Sequence, residues 1–246
     1  MIVNYCSSGH DRCDHGLMRG MMKKITRGLL LVAALFLARE FGLLDKLPEV
    51  ARPSYWLEGE YTPVGETPDG WDLLTGVSLV PTKSNDGDSF KVKHGNQTTI
   101  FRLYYVDTPE SELKKYRDGN TNRERVAEQA DYFGGLALTQ ATALGEAAKK
   151  FTLDLLNQGG FEVLTKYEGV YGPGRRYAFI LVPWEGKRVF LHELLVDQGL
   201  ARIHTKGTTL PNGRHTKDQK EQLQRREKKA QESARGGWGM ARVAQL

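Results

Sequence analysis

The chain has 246 residues, 39% of them hydrophobic and 26% charged, which allows one domain with a buried core plus extensions and excludes a disordered or collagen-like chain. Its net charge of +5 suits an anionic partner without requiring one. Both cysteines, Cys6 and Cys13, lie near the N-terminus, so the chain beyond them carries neither a disulfide nor a Cys-ligated metal, and their spacing from His10 and His15 fits no common zinc pattern.

Lys23, Lys24 and Arg27 precede an apolar run over 28–38, the layout of a secretory signal. The run is shorter than the ~20 apolar residues of a membrane-spanning helix, and Arg39 and Glu40 interrupt it. No clean A-x-A cleavage site follows. The expectation is an exported protein, extracellular or periplasmic, with a cleaved signal and a retained membrane anchor both open. Met21 or Met22 would begin a conventional signal, and residues 1–20 read as an upstream start. Residues 1–45 therefore form an N-terminal extension. Residues 46–70 form a linker punctuated by Pro48, Pro53, Pro63 and Pro68, in which Trp56 and Tyr61 could pack on the domain edge. The domain is expected over 71–240, with a tail over 241–246.

Short strands are expected over 77–80, 89–93 and 98–106, the last two joined by a hairpin turn at His94-Gly95-Asn96. Pro109 ends the third, because proline lacks the ladder N–H. The stretch 111–144 is charged, with a helical turn or two over 123–129. Ala147, Ala148, Phe151 and Leu155 repeat at helical spacing and predict a helix over 146–156. Strands follow over 161–167 and 176–182, a helix over 189–198, a strand over 201–204 and a charged helix over 216–235, stopped by Gly236-Gly237. Three strands, a helix, two strands and further helices suit an α+β fold: a five-stranded OB-type barrel with about three helices.

Asp86-Gly87-Asp88 sits where a turn enters a strand, and residues two apart on a strand share a face. Hairpin pairing about Gly95 brings this turn close to Asp107 and Glu110, so that three or four carboxylates converge. Ca²⁺ or Mg²⁺ takes such oxygen ligands, although a D-G-D alone is more often a plain turn. Arg102 interrupts the apolar strand Ile100 to Val106 and needs an anionic partner, either a structural carboxylate or a ligand. In an unbroken strand Arg102 and Asp107 face opposite ways, so the chain must bend before Asp107. Thr108-Pro109 is the expected site of that bend. His192 and His204 read as structural histidines.

Asp86-Gly87-Asp88-Ser89 followed by Arg102 through Asp107-Thr108-Pro109-Glu110 resembles the staphylococcal-type nuclease (thermonuclease) family. Gly174-Arg175-Arg176-Tyr177-Ala178-Phe179-Ile180 is similar to that family's G-R-x-x-A-x-I strand, and 194–201 to its L-V-x-x-G-L-A. The resemblance covers about residues 73–239. It implies that Asp88, Asp107 and the Thr108 carbonyl bind Ca²⁺. It implies that Glu110 is the general base, and that Arg102 and Arg175 grip the phosphate. The products it implies carry 3′-phosphates, the substrate is DNA, RNA or both, and the protein acts as a monomer. Two departures stand out. Arg175 and Arg176 are adjacent, so either could be the second arginine. The nucleotide-holding tyrosines that follow the L-A strand in the family are replaced by Ile203-His204-Thr205-Lys206-Gly207. Tyr171 or the long 111–144 segment, with Lys114, Lys115, Arg117, Arg123 and Arg125, could compensate, although that basic run also reads as a solvated loop. The competing function is a non-catalytic OB module that holds single strands.

Overall fold

The computed structural model describes residues 70–170 and 174–244. The signal-like segment, the linker with Trp56 and Tyr61, both cysteines and Tyr171 lie outside them. Among the described residues no helix is long and apolar enough to cross a membrane.

Strands β1 (Asp72–Leu74), β2 (Ser78–Leu79), β3 (Ser89–His94) and β4 (Gln97–Leu103) open the domain. The short β5 (Val106–Asp107) precedes helices α1 (Arg123–Tyr132) and α2 (Leu138–Asn157). Then come β6 (Glu162–Gly169), β7 (Arg175–Trp184), β8 (Lys187–Phe190), α3 (Leu191–Asp197), β9 (Arg202–Ile203), α4 (Thr216–Glu232) and α5 (Gly236–Ala244). The main sheet runs β1-β6-β7-β4-β3-β2, with β8 added to β7, and β5 pairs with β9 in a separate ladder. All pairings are antiparallel except β4 with β7. The fold is α+β and OB-like, as the element order implied.

The alternation of β3, β4, β6 and β7 sends Phe90, Val92, Phe101, Leu103, Val163, Ala178 and Ile180 into a continuous core, with Phe179, Phe190 and Leu195 also buried there. Trp71 caps its edge, packing on Phe179 (centroids 5.3 Å apart) beneath the Lys166 ammonium (4.7 Å).

Three expectations are corrected. The helix expected over 146–156 begins at Leu138, because burial of Ala141 and Leu144 overrides the weak helical preference of Thr139, Thr142 and Gly145. Residues 187–190 form a strand rather than a helix start. A two-residue turn at Glu185-Gly186, both at positive φ (48° and 79°), folds them back on β7. Gly236-Gly237 does not end the helical structure but begins α5. A Cβ at Gly236 would lie 2.3 Å from the Gly199 carbonyl oxygen, and one at Gly237 would strike Phe133 and Leu144. These glycines permit close packing that seats Trp238 against Phe133 (5.0 Å).

Candidate active site

The β3–β4 hairpin pairs Ser89 with Arg102 and so sets Arg102 beside Asp88. The bend required before Asp107 lies at Tyr105, which takes φ of 70°, and not at Thr108-Pro109. Tyr105 is fully buried, its ring stacks on His192 (5.7 Å), and its hydroxyl donates to the Thr208 carbonyl. That packing holds the uncommon backbone conformation and turns Asp107 to the same side as Arg102.

Arg102 then bridges the two carboxylates: its guanidinium lies 3.0 Å from Asp88 Oδ1 and 2.6 Å from Asp107 Oδ1. The Asp88 Oδ2 accepts the Thr108 N–H (2.8 Å), and its Oδ1 accepts the Ser89 hydroxyl (3.1 Å). The glycine at 87 lets the turn pack closely, because a Cβ there would sit 2.8 Å from Thr108 Oγ1 and push that side chain away. The Thr152 hydroxyl on α2 donates to the Gly87 carbonyl (2.8 Å) and anchors the turn. From the other side α2 touches the Pro109–Glu110 backbone at Gly145, where a Cβ would lie 2.4 Å from the Glu110 carbonyl oxygen.

Asp107 is the centre of the cluster. Its Oδ1 accepts from Arg102 (2.6 Å) and Arg125 (2.6 Å), and its Oδ2 from Arg202 (2.8 Å) and Gln129 (2.9 Å). Arg202 is its direct cross-strand partner in the β5–β9 ladder. Arg125 also pairs with Glu110, Nε to Oε1 at 2.9 Å. Gln129 further donates to the Thr108 carbonyl (3.1 Å) and accepts the Glu110 N–H (2.9 Å). Burial alone would raise the Asp107 carboxyl, but Arg125, Arg102, Gln129 and Arg202 outweigh it and hold it below the usual carboxylate range. Asp88 is different: burial, helped by the charge on Asp107, pushes it up against the pull of Arg102. Asp86 is pushed up to about 6 by burial and by Asp88.

The chain matches the family model of staphylococcal nuclease homologues over residues 100–240. It belongs to that family. No curated protein matches it. The matched span includes Arg102, Asp107, Glu110 and Arg175, while Asp88 lies before it and joins the site through the hairpin. Membership gives the chain a nuclease or nucleic-acid-binding function.

Of the residues singled out in the sequence, Asp88, Arg102, Asp107, Thr108 and Glu110 come together. Arg175 and Arg176 stand exposed at the start of β7. The parallel register aligns Tyr177 with Arg102, so Arg175, two residues earlier on β7, shares the Arg102 face and Arg176 takes the opposite one. Arg176 instead reaches over Gly169. Arg125, Gln129 and Arg202 are site members that the sequence reading did not place. Arg125 stood within the recognised basic run, and Arg202 follows Ala201 of the G-L-A motif, but neither has a local signature.

Among the described residues no three His, Cys, Asp or Glu side chains gather into a ready-made metal cage. The donor set of Asp88, Asp107 and the Thr108 carbonyl is nevertheless all oxygen and buried, which fits a hard cation. Thr108 Oγ1 is buried without a hydrogen-bond partner. Burial first, and the neighbouring carboxylates second, hold the Asp86 and Asp88 carboxyls above their ordinary range on that side, against the pull of Arg102 on Asp88.

Proposed function

We propose that the protein is a Ca²⁺-dependent nuclease that hydrolyses phosphodiester bonds of DNA, RNA or both, endonucleolytically and with 3′-phosphate products. The observation that carries this reading is the bridge of Arg102 between Asp88 and Asp107, with Glu110 three residues on from Asp107 and its side chain partly open to solvent. Asp88, Asp107 and the Thr108 carbonyl would hold the ion. When bound, Ca²⁺ polarises a phosphoryl oxygen and offsets its charge. Glu110 takes a proton from the attacking water, whose oxygen bonds to phosphorus as the P–O5′ bond breaks and the leaving oxygen gains a proton. Arg102 presents a planar fork to the phosphate oxygens, and Arg175 approaches from β7 on the same face. Both stabilise the charge that builds in the transition state.

The alternative, an OB module that binds single strands without cutting, has no use for a full set of carboxylates and arginines around one turn. The test uses the purified full-length protein with labelled single- and double-stranded DNA and RNA, with Ca²⁺ or with chelator. Cleavage is expected only with Ca²⁺, half-saturating at ~10⁻⁴–10⁻³ M as for extracellular calcium modules. Binding without cleavage under every condition selects the module, and full cleavage in excess chelator removes the ion. The chain acts as a monomer outside the cytoplasm. A fusion of residues 21–70 to a reporter active only after export should be active, and an intact but silent fusion in the cytosol rejects export.

A further inference from the structure

The helix α1 precedes α2 within the long charged segment over 111–144, and one of its faces is spent on the carboxylate turn. Arg125 and Gln129 stand one helical turn apart and therefore project from the same face. Between them they make five polar contacts with Asp107, Thr108 and Glu110. Arg125 reaches Asp107 Oδ1 and Glu110 Oε1, and Gln129 reaches Asp107 Oδ2, the Thr108 carbonyl and the Glu110 N–H. Gln129 is fully buried, so its amide is held in place by the turn it binds. The Arg125 side chain is 44% exposed, against 13% for Arg102 and 6% for Arg202.

The lone pairs of Asp107 are fully used. Each carboxylate oxygen offers about two acceptor sites, and each already receives two donors. A dication that takes an Asp107 oxygen must therefore displace one donor. Arg125 is the cheapest to release, because water reaches its guanidinium and rehydrates it.

We infer that Arg125 is a positioning residue of the nuclease site: it aims the Glu110 carboxylate, is anchored by Gln129, and stands as the exchangeable counter-ion of Asp107 where a bound cation brings its charge. This rests on the nuclease reading above. It predicts opposite effects on two measurements, whereas a merely structural residue would weaken both. Removing Arg125 takes away a competing positive charge and tightens cation binding. It also frees Glu110 to wander, and misplacement by about 1 Å costs on the order of 10²-fold in rate.

The experiment compares the full-length protein with Arg125→Ala, Arg125→Lys and, as control, Glu128→Ala, which alters an exposed residue of the same helix. Ca²⁺ binding is followed by calorimetry without substrate, and cleavage of a labelled oligonucleotide is followed at saturating Ca²⁺. Arg125→Ala should bind Ca²⁺ at least three-fold tighter, turn over at least ten-fold slower, and keep KM within three-fold. Arg125→Lys should restore part of the rate, and Glu128→Ala should match the parent. If the parent cuts nucleic acid but Arg125→Ala binds Ca²⁺ no tighter, or keeps its rate within two-fold, the inference is overturned and the nuclease reading stands. A parent that neither binds Ca²⁺ nor cuts any substrate overturns both.

Discussion

Gly145→Ala adds one methyl group to the helix that backs the catalytic turn. The new Cβ would lie 2.4 Å from the Glu110 carbonyl oxygen and 2.5 Å from that of Pro109, where ordinary contact begins at 3.4 Å. Both obstacles are backbone atoms, so no side-chain rotation relieves the overlap. The helix or the turn must retreat by about 1 Å. Alanine favours a helix over glycine by ~1 kcal/mol, and overpacking costs ~1–3 kcal/mol, so the net loss of stability is ~0–2 kcal/mol. For a domain of this size that lowers Tm by no more than about 8 °C. Activity is the more sensitive readout. A 1 Å retreat of the Glu110 backbone carries its carboxylate with it, and displacement on that scale costs on the order of 10²-fold in kcat. Thermal melts by circular dichroism and oligonucleotide cleavage, run on the same preparations, separate the two effects. A Gly145→Ala protein with parental Tm and parental kcat would show that α2 does not fix the turn.

Glu110→Gln and Arg102→Lys should each lower kcat by ~10²-fold or more in a steady-state cleavage assay, while Glu112→Gln, at an exposed position, should leave it unchanged. Arg175→Ala should match Arg102→Lys in severity and Arg176→Ala should be milder in the same assay. The reverse order would mean that β7 presents its other face to the phosphate. His192 is held neutral, pushed down to about 3 by burial and by Arg226 and Arg214, and it packs between Tyr105 and Phe179 with Gln219 on Nε2. Its folded pKa lies below its unfolded value near 6.5, so the unfolded chain binds the proton first and stability falls as pH drops below 6.5. His192→Gln should lose that component, about 1.4 kcal/mol per pH unit between pH 6.5 and 5, in urea melts. Identical slopes for parent and variant would refute the burial argument.

The carboxylate turn was legible because its elements are local: Gly95 fixes the hairpin register, and the register places Asp88 beside Arg102. The parity conflict between Arg102 and Asp107 correctly demanded a break, but Pro109 was the wrong marker. Tyr105 has no sequence signature for positive φ, and its conformation is held by His192 and Thr208, far along the chain. The docking of Arg125 and Gln129 on Asp107 was hidden for a similar reason. Charge and spacing reveal the face of α1 but not what it docks against, and a basic run before a helix looks the same whether it is solvated or clamps a carboxylate. The β8 hairpin was readable in principle from Glu185-Gly186 followed by Lys187 to Phe190, and was obscured by the apolar helix immediately after it.

The cross-strand pair of Asp107 with Arg202, and the parallel docking of β7 on β4, make completion of the cluster an event of the last part of synthesis. Contacts this distant in sequence close slowly and only after the intervening chain exists. A ribosome that has not yet released residue 202 carries a chain in which Asp107 lacks its innermost counter-charge, although the β3–β4 hairpin already sets Arg102 beside Asp88. On the proposed nuclease reading, this topology delays activity until residue 202 has been made and docked.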